Sequence, residues 1–206
     1  MASILEAVRA YARNDDPLAT AANSIALLVA SSQPFYPLYV YWSVGSPIWP
    51  TAYTFLSTPL FLLVPALSRV STVAGRALLP LAGIGNTVLS AAVFGVASGV
   101  ELFFIPCALI ACLLFRPAER LVSYAFVLLA ILSYSVLHGW YGAPVHIYTS
   151  DEYADFVALN AFSAGMLTCF VGLLGGNLIA AGGGLAPTPD GGGETRRETR
   201  SSPQSP

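Results

Sequence analysis

Four polar residues carry the side chains best suited to bind a cation or a proton: Glu101, His138, His146 and Asp151. All four fall in, or next to, turns that contain no arginine. Carboxylate and imidazole groups bind divalent cations, and imidazole changes its charge near neutral pH. Their spacing matches no defined metal motif, so no metal centre is predicted. Two interpretations stay open for this acidic and imidazole-rich face: a ligand or cation site, or an ordinary solvated surface.

Three amides lie within otherwise apolar segments: Gln33, Asn86 and Asn160. Polar groups are costly inside a membrane, so each of these residues is a functional candidate. Gln33 directly precedes Pro34, with Pro37 close behind, and proline removes a helical hydrogen bond. The pattern indicates either a kink whose freed groups are repaired by nearby polar side chains or a bend that lines a substrate path. Asn86 and Asn160 are expected to hydrogen-bond to neighbouring helices.

Glycines recur at helical spacing in two places. Gly95 and Gly99 form a Gly-x-x-x-Gly pair between two apolar segments, while Gly165, Gly172 and Gly176 share one face of the last segment. Small residues let two helix backbones approach closely. Packing within the chain is one prediction for these glycines, and homodimerisation through the same stripe is the other.

The elements that position these residues follow from the arginines. The chain has no lysine, and its arginines leave three long stretches of 55, 39 and 75 residues, at 14–68, 77–115 and 121–195. One membrane crossing needs about 20 apolar residues, so each stretch can cross and return. We predict an all-α bundle of six transmembrane helices, at 18–44, 51–67, 77–97, 100–115, 121–137 and 156–181.

Orientation follows from the same residues. The positive-inside rule places every arginine, and therefore both termini, in the cytoplasm. Residues 1–17 form a leader, predicted either as an amphipathic helix on the cytoplasmic surface or as a frayed segment. Residues 18–181 form the membrane domain. The Gly-, Pro- and Ser-rich residues 182–206 are predicted to be a disordered cytoplasmic tail.

Composition excludes several function classes. Only 10% of residues are charged, against about 25% in soluble domains, so an integral membrane protein is expected with the lipid bilayer as its surroundings. No basic stripe is present that would bind nucleic acid. Without lysine there is no retinal Schiff base, and no cofactor is predicted.

One serine invites an enzymatic interpretation. Ser98 lies in a Gly-Val-Ala-Ser-Gly sequence that resembles the serine motif of rhomboid intramembrane proteases. Val96 replaces the first glycine of that motif, and the sixth predicted span has no histidine to serve as a base. A serine without a base is a weak nucleophile. We therefore predict that the chain is not an enzyme, with a membrane-embedded enzyme as the third hypothesis.

The spacing of residues between the third and fourth predicted spans is similar to that of a different family. This hairpin resembles the six-span N-terminal membrane modules of bacterial class III adenylate and guanylate cyclases in Asn86, Gly95, Ser98-Gly99, Phe103-Phe104 and Leu114-Phe115-Arg116. The resemblance extends over 18–181 in span count and topology. It implies a sensor in the bacterial inner membrane that passes a signal to a cytoplasmic catalytic domain, an output that we expect a partner protein to supply. No functional residue is carried over.

These observations lead to a non-enzymatic sensory or scaffolding module of the bacterial inner membrane. Its expected partners are a cytoplasmic signalling protein or a second copy of the chain. The alternative is a small transporter or channel subunit, because prolines 34, 37, 59 and 65 could break helices near the bilayer midplane.

Overall fold

The computed structural model describes residues 3–45 and 47–183, and every regular element in these ranges is helical. The eight α-helices are α1 (Ile4–Ala12), α2 (Pro17–Ser32), α3 (Tyr36–Ser43), α4 (Thr58–Val70), α5 (Thr72–Phe94), α6 (Phe104–Leu113), α7 (Arg120–Leu137) and α8 (Ser150–Gly183). Short 3₁₀ segments connect them at Gln33–Phe35, Trp49–Ser57, Val96–Ser98, Val100–Phe103 and Pro117–Glu119. The predicted tail lies outside the described residues from 184 onward.

The first helices begin at recognisable caps. Ser3 and Glu6 form a capping box, in which each side chain accepts a hydrogen bond from the other residue's backbone N–H. Asp16 caps α2 by accepting from the Leu18 N–H, and Pro17 occupies the first helical position. Such caps satisfy backbone donors that have no partner within the helix. The leader is therefore a short helix followed by a fixed turn into the bundle.

The predicted first span is interrupted at its prolines. α2 ends at Ser32, and a 3₁₀ segment of three residues, Gln33–Phe35, separates it from α3. Neither Pro34 nor Pro37 can donate a backbone hydrogen bond, so the helical ladder cannot continue unbroken. The predicted first span therefore consists of two helical pieces, and the Gln33 side chain is buried at the break.

Among the residues that the structure describes, four helical segments are long and apolar enough to cross a membrane: Trp49–Val70, Thr72–Phe94, Pro117–Leu137 and Ser150–Ala180. A shorter apolar helix runs over Val100–Leu113. Large apolar side chains are exposed along these helices, for example Leu128, Ile131 and Phe162, as expected where lipid is the solvent. The prediction of an all-α membrane bundle is confirmed at this level.

Two buried clusters lie at different heights of the bundle, and a third, formed by Ile84, Phe104, Cys107 and Ala130, joins α5 to α6 and α7. The first packs α2, α4, α5, α6 and α8 around residues such as Ile25, Phe61 and Leu79. The second gathers Phe94 and Phe156, whose ring centroids are 5.4 Å apart, with the buried Val40, Val44, Val93 and Tyr148. Along α2–α3, α5 and α8, the positions between the two clusters are those that line the cavity described below.

Candidate binding site within the bundle

A ladder of hydroxyl groups runs along the 3₁₀ segment Trp49–Ser57. Thr51, Thr54 and Ser57 are each three residues apart, and residues at that spacing eclipse one another in a 3₁₀ helix. Each hydroxyl donates to the carbonyl three residues earlier, at 2.6, 2.7 and 2.9 Å respectively. All three side chains are buried. This face therefore presents polar groups to the interior of the bundle.

Gln33 docks against that ladder and extends it to a third segment. Its amide nitrogen Nε2 donates to the Thr54 carbonyl at 3.2 Å and to Ser57 Oγ at 2.7 Å. Its oxygen Oε1 accepts from Thr58 Oγ1 at 2.5 Å. Ser57 Oγ also lies 2.7 Å from Asn86 Oδ1, so its single proton is shared between this oxygen and the Thr54 carbonyl. We call Gln33, Ser57 and Asn86 the amide chain; it connects the break after α2, the 3₁₀ segment and α5.

A second polar cluster forms around Asn160 on α8. Asn160 is fully buried, and its nitrogen Nδ2 donates to the Ser98 carbonyl at 2.9 Å. Its oxygen Oδ1 accepts from the Tyr36 hydroxyl at 3.4 Å. Asn160 thus joins α8 to α3 and to the turn between α5 and α6, the interhelical role that buried amides commonly have in membranes.

A cavity of about 460 Å³ lies between the amide chain and the Asn160 cluster. Its walls are mainly apolar, with Val29, Phe61, Phe103 and Phe170 among the lining residues. Ligand sites in proteins typically have volumes of roughly 300–1,000 Å³ and combine apolar walls with a few polar groups. Gln33, Asn86 and Asn160, which the sequence singled out separately, all line this one cavity.

The cavity is open on the side where α2 and α3 approach α8. Leu28, Ser32 and Tyr39 of α2 and α3 line it and are exposed, as is Met166 of α8. Tyr39 retains 43% of its accessible surface and Met166 retains 57%. We call this opening the lateral portal. In a membrane it would face acyl chains, because the helices around it also expose large apolar side chains to the outside.

At one end of the bundle, Glu101 and His138 are in contact. His138 Nδ1 lies 2.6 Å from Glu101 Oε2, joining the turn before α6 to the end of α7. Glu101 is 7% exposed and His138 is 52% exposed. The other carboxylate oxygen of Glu101 and the Tyr141 hydroxyl are buried without a hydrogen-bond partner among the described residues. Burial and the nearby Glu101 carboxylate raise the pKa of Tyr141 to about 12, so its hydroxyl stays protonated at neutral pH.

His146 and Asp151 occupy different surroundings. The His146 ring packs edge-on against Tyr148 at 4.7 Å between centroids, and Asp151 is exposed in the first turn of α8. Across residues 3–45 and 47–183, no ion pair or hydrogen bond joins either residue to Glu101 or His138. No group of three His, Cys, Asp or Glu side chains there could hold a metal ion. The structure thus brings together two of the four candidate residues of this face.

The opposite end holds an ionic cluster that the sequence analysis missed. Arg76 is fully buried, and its guanidinium makes two 2.8 Å contacts to the Glu119 carboxylate and donates at 2.6 Å to the Leu114 carbonyl. Asp16 lies 3.7 Å from Arg76 and 3.1 Å from Arg116. The sequence analysis used the arginines for orientation alone. The signal that could have revealed this cluster is the presence of Asp16 and Glu119 at the same predicted membrane face.

The predicted packing glycines divide into two groups. Gly95 and Gly99 have positive φ values of +82° and +71°, which glycine adopts without strain, and Gly99 lies against Val157 of α8. A Cβ built at Gly165, Gly172 or Gly176 would meet no atom within 4 Å. Their face of α8 therefore makes no close contact with the rest of the described chain.

Ser98 is fully buried at the turn between α5 and α6. Its hydroxyl donates to the Gly95 carbonyl at 2.6 Å, and its oxygen accepts from the Val100 N–H at 3.4 Å. These contacts hold the turn that supplies the carbonyl acceptor for Asn160.

Comparison with known families gives one result. The model of the MASE7 family, a family of membrane-associated sensory domains, matches residues 9–173. The matched segment includes α2 to α7, the cavity and the polar clusters at both ends. No curated protein and no solved structure matches the chain.

Proposed function

Because the chain belongs to the MASE7 family of membrane-associated sensory domains, we propose that it receives a signal within the bilayer and transmits it to a cytoplasmic partner. The cavity between the amide chain and Asn160 is the proposed reception site. This single observation carries the proposal: one cavity contacts segments from nearly the whole bundle, so its occupancy can bias their packing. A sensory domain needs such a coupling between ligand and conformation.

The proposed arrangement is six spans with both termini in the cytoplasm. In it, α2 and α3 together form the first crossing, and the short helix over Val100–Leu113 forms the fourth. Its support is the grouping of charges. Asp16, Arg76, Arg116 and Glu119 meet at one end of the bundle, whereas Glu101 and His138 meet at another. Arginines concentrate on the cytoplasmic side of bacterial membranes, which favours the arginine-rich end as the inner one.

The inner ionic cluster is the proposed route of transmission. It joins the start of α2, the start of α5 and the 3₁₀ turn before α7. The partner is proposed to be a cytoplasmic signalling protein, with a second copy of the chain as the alternative. For a homodimer, the face of α8 that carries Gly165, Gly172 and Gly176 is open for contact.

A fusion protein tests this function. The full chain is joined at its C-terminus to the catalytic domain of a class III cyclase, and cyclic nucleotide formation is measured in membranes. Ser163→Phe places a large ring at the cavity, which Ser163 lines; Ala161→Phe places the same ring on the exposed surface of α8. We expect Ser163→Phe to change the output and Ala161→Phe to leave it at the wild-type value. Identical outputs from both variants, with equal expression, would argue against a reception site in the cavity.

A small transporter or channel is the second candidate. It is favoured by the break at Gln33–Phe35, which lies on the cavity wall, as broken helices do in many transporters. Flux of a solute through proteoliposomes that contain the purified chain alone, lost on Gln33→Leu, would support transport over sensing.

A further inference from the structure

We propose that the cavity binds an uncharged, long-chain amphipathic molecule, which enters from the bilayer through the lateral portal and places a hydrogen-bond-accepting head group against Asn86 and Ser163. This inference rests on the proposed function: it names the class of ligand that the proposed reception site would bind. Three features of the cavity carry it: the charge of its lining, its spare hydrogen-bond donors and the position of its opening.

The lining excludes an ionised ligand. In the described part of the chain, the polar residues that line the cavity are serine, threonine, tyrosine, glutamine and asparagine, and none carries a charge. The ion pairs of the chain involve residues that do not line it: Asp16, Arg76, Arg116 and Glu119 in one group, and Glu101 with His138 in the other. A buried charge without a counter-ion costs several kcal/mol. The ligand that fits is therefore neutral.

The hydrogen-bond inventory specifies the head group. Gln33 already uses both its nitrogen and its oxygen within the amide chain. The Asn86 oxygen shares the Ser57 hydroxyl proton with the Thr54 carbonyl, and neither Asn86 N–H is hydrogen-bonded to a residue of the described chain. Ser163 also lines the cavity, and its hydroxyl has no committed partner there. A ligand hydroxyl or carbonyl oxygen could accept a hydrogen bond from both the Asn86 amide and the Ser163 hydroxyl.

The rest of the cavity specifies an apolar body. Val29, Phe61, Phe103 and Phe170 contribute carbon surface to the walls, and the volume of about 460 Å³ is that of a small-molecule site. The lateral portal, between Leu28 and Tyr39 on one side and Met166 on the other, opens where the bundle exposes apolar side chains. A molecule dissolved in the membrane can enter there without crossing water.

Binding at this position would act on the bundle through Asn86. Ser57 Oγ lies within hydrogen-bond distance of the Asn86 oxygen, and it accepts a hydrogen bond from the Gln33 nitrogen at the break in the predicted first span. A head group that engages the Asn86 nitrogen would extend this chain of hydrogen bonds from α5 to the ligand. The proline-broken segment is thereby coupled to occupancy of the cavity.

Three photoactivatable probes with the same diazirine-bearing alkyl chain test the ligand class. They differ only in the head group: a hydroxyl, a sulfonate or a quaternary ammonium. Each probe is added to the purified full chain in nanodiscs and irradiated, and the labelled residues are located by mass spectrometry. We expect the alcohol to label residues of the cavity wall, with loss of that labelling when unmodified long-chain alcohol is added. The two charged probes are expected to label only lipid-facing residues.

Variants connect the labelling to the cavity. Ser163→Phe should abolish cavity labelling by the alcohol, whereas Ala161→Phe should retain it. Asn86→Leu, which keeps the approximate volume and removes the donors, should abolish the preference for the alcohol; this variant decides the matter if Ser163→Phe fails to fold. Equal cavity labelling by all three probes, or alcohol labelling that survives both Ser163→Phe and Asn86→Leu, would overturn the proposal.

The outcome for the ligand and the outcome for the function can be separated. Cavity labelling by the alcohol, combined with a cyclase fusion whose output ignores Ser163→Phe, would uphold the ligand class and contradict the sensory function. A fusion that responds to Ser163→Phe, combined with no cavity labelling by the alcohol, would uphold the reception site and overturn the ligand class.

Discussion

Arg76 and Glu119 face each other through two parallel contacts of 2.8 Å, with the guanidinium fully buried. Such bidentate pairs combine charge with fixed geometry. The pair joins α5 to the turn that precedes α7, and Asp16 adds the start of α2. The arrangement makes a junction of three segments at one end of the bundle, which is the cytoplasmic end in the proposed orientation.

Removing Arg76 should destabilise the fold strongly. Arg76→Met leaves the carboxylates of Glu119 and Asp16 without this partner. Breaking a fully buried pair costs about 3–5 kcal/mol, and the cost here should be lower because Glu119 is 18% exposed and Asp16 still contacts Arg116. The matched control is Arg116→Ala, because the Arg116 side chain is 54% exposed and an exposed pair contributes about 0–1 kcal/mol. Denaturation in detergent micelles, followed by circular dichroism, measures both. Equal stability of the two variants would contradict the structural role given to Arg76.

Two glycines of α5 should respond oppositely to alanine. A Cβ at Gly75 would lie 2.7 Å from the backbone of Ser68, whereas at Gly85 it would meet nothing within 4 Å. Alanine is intrinsically favoured over glycine in a helix by about 1 kcal/mol. Gly85→Ala should therefore leave the chain unchanged or slightly more stable, and Gly75→Ala should destabilise it by separating α4 from α5. Thermal unfolding of both variants in the same detergent checks the difference in sign.

The amide chain should depend on the Ser57 hydroxyl. Ser57→Ala leaves the Gln33 nitrogen and the Asn86 oxygen without this partner, and an unsatisfied buried polar group costs about 1–3 kcal/mol. Ser31→Ala is the control, since that exposed hydroxyl bonds only within its own helix, to the Leu28 carbonyl. Its cost should stay within about 0.5 kcal/mol. If the two serine variants unfold at the same denaturant concentration, the amide chain does not contribute measurably to the free energy of unfolding.

Alkaline pH should destabilise the chain through Tyr148. Burial, followed by the charges of Tyr153 and Glu152, raises the pKa of Tyr148 to about 12 from its ordinary value of 10.0. Between these values the unfolded state loses the phenol proton while the folded state keeps it, so stability falls as pH rises. Tyr148→Phe removes the ionisable group and should flatten this part of the pH profile. A profile for Tyr148→Phe as steep as that of the wild type would show that other groups dominate.

The proposed orientation can be tested with introduced cysteines. Cys107, Cys112 and Cys169 are first replaced by alanine; Ser71→Cys and Asp151→Cys, both at exposed positions, are then made singly in that background. A maleimide that cannot cross membranes should label Asp151→Cys in intact cells and Ser71→Cys only after permeabilisation. The reverse pattern would place the arginine-rich end outside, and labelling of both in intact cells would break the six-span arrangement.

Sequence reasoning found the polar residues of the site but not their relationship. Gln33, Asn86 and Asn160 stand out because amides are costly at depth in a membrane. That two of them meet through Ser57 depends on the 3₁₀ conformation of Trp49–Ser57, in which residues three apart align. The Thr-x-x-Thr-x-x-Ser spacing was visible, but its meaning requires knowing that this segment is not an α-helix.

Orientation and burial were predictable to different degrees. The grouping of arginines predicts one end of the bundle without any structure, because that rule depends on charge alone. That Arg76 is buried beneath Glu119, while Arg116 remains exposed, depends on how α2 and the turn at Pro117–Glu119 close over it. Hydrophobic periodicity carries no information about such contacts between distant segments.

The response of the cyclase fusion to a neutral long-chain alcohol tests the central claim most directly. Cyclic nucleotide formation is measured in membranes while the alcohol is titrated, with the sulfonate of the same chain length as the control ligand. Sensing in the cavity predicts a saturable change in output for the wild type and for Ala161→Phe, no change for Ser163→Phe, and no response to the sulfonate. A response that is the same in all three proteins, or that the sulfonate also produces, would contradict the claim that the cavity receives the signal.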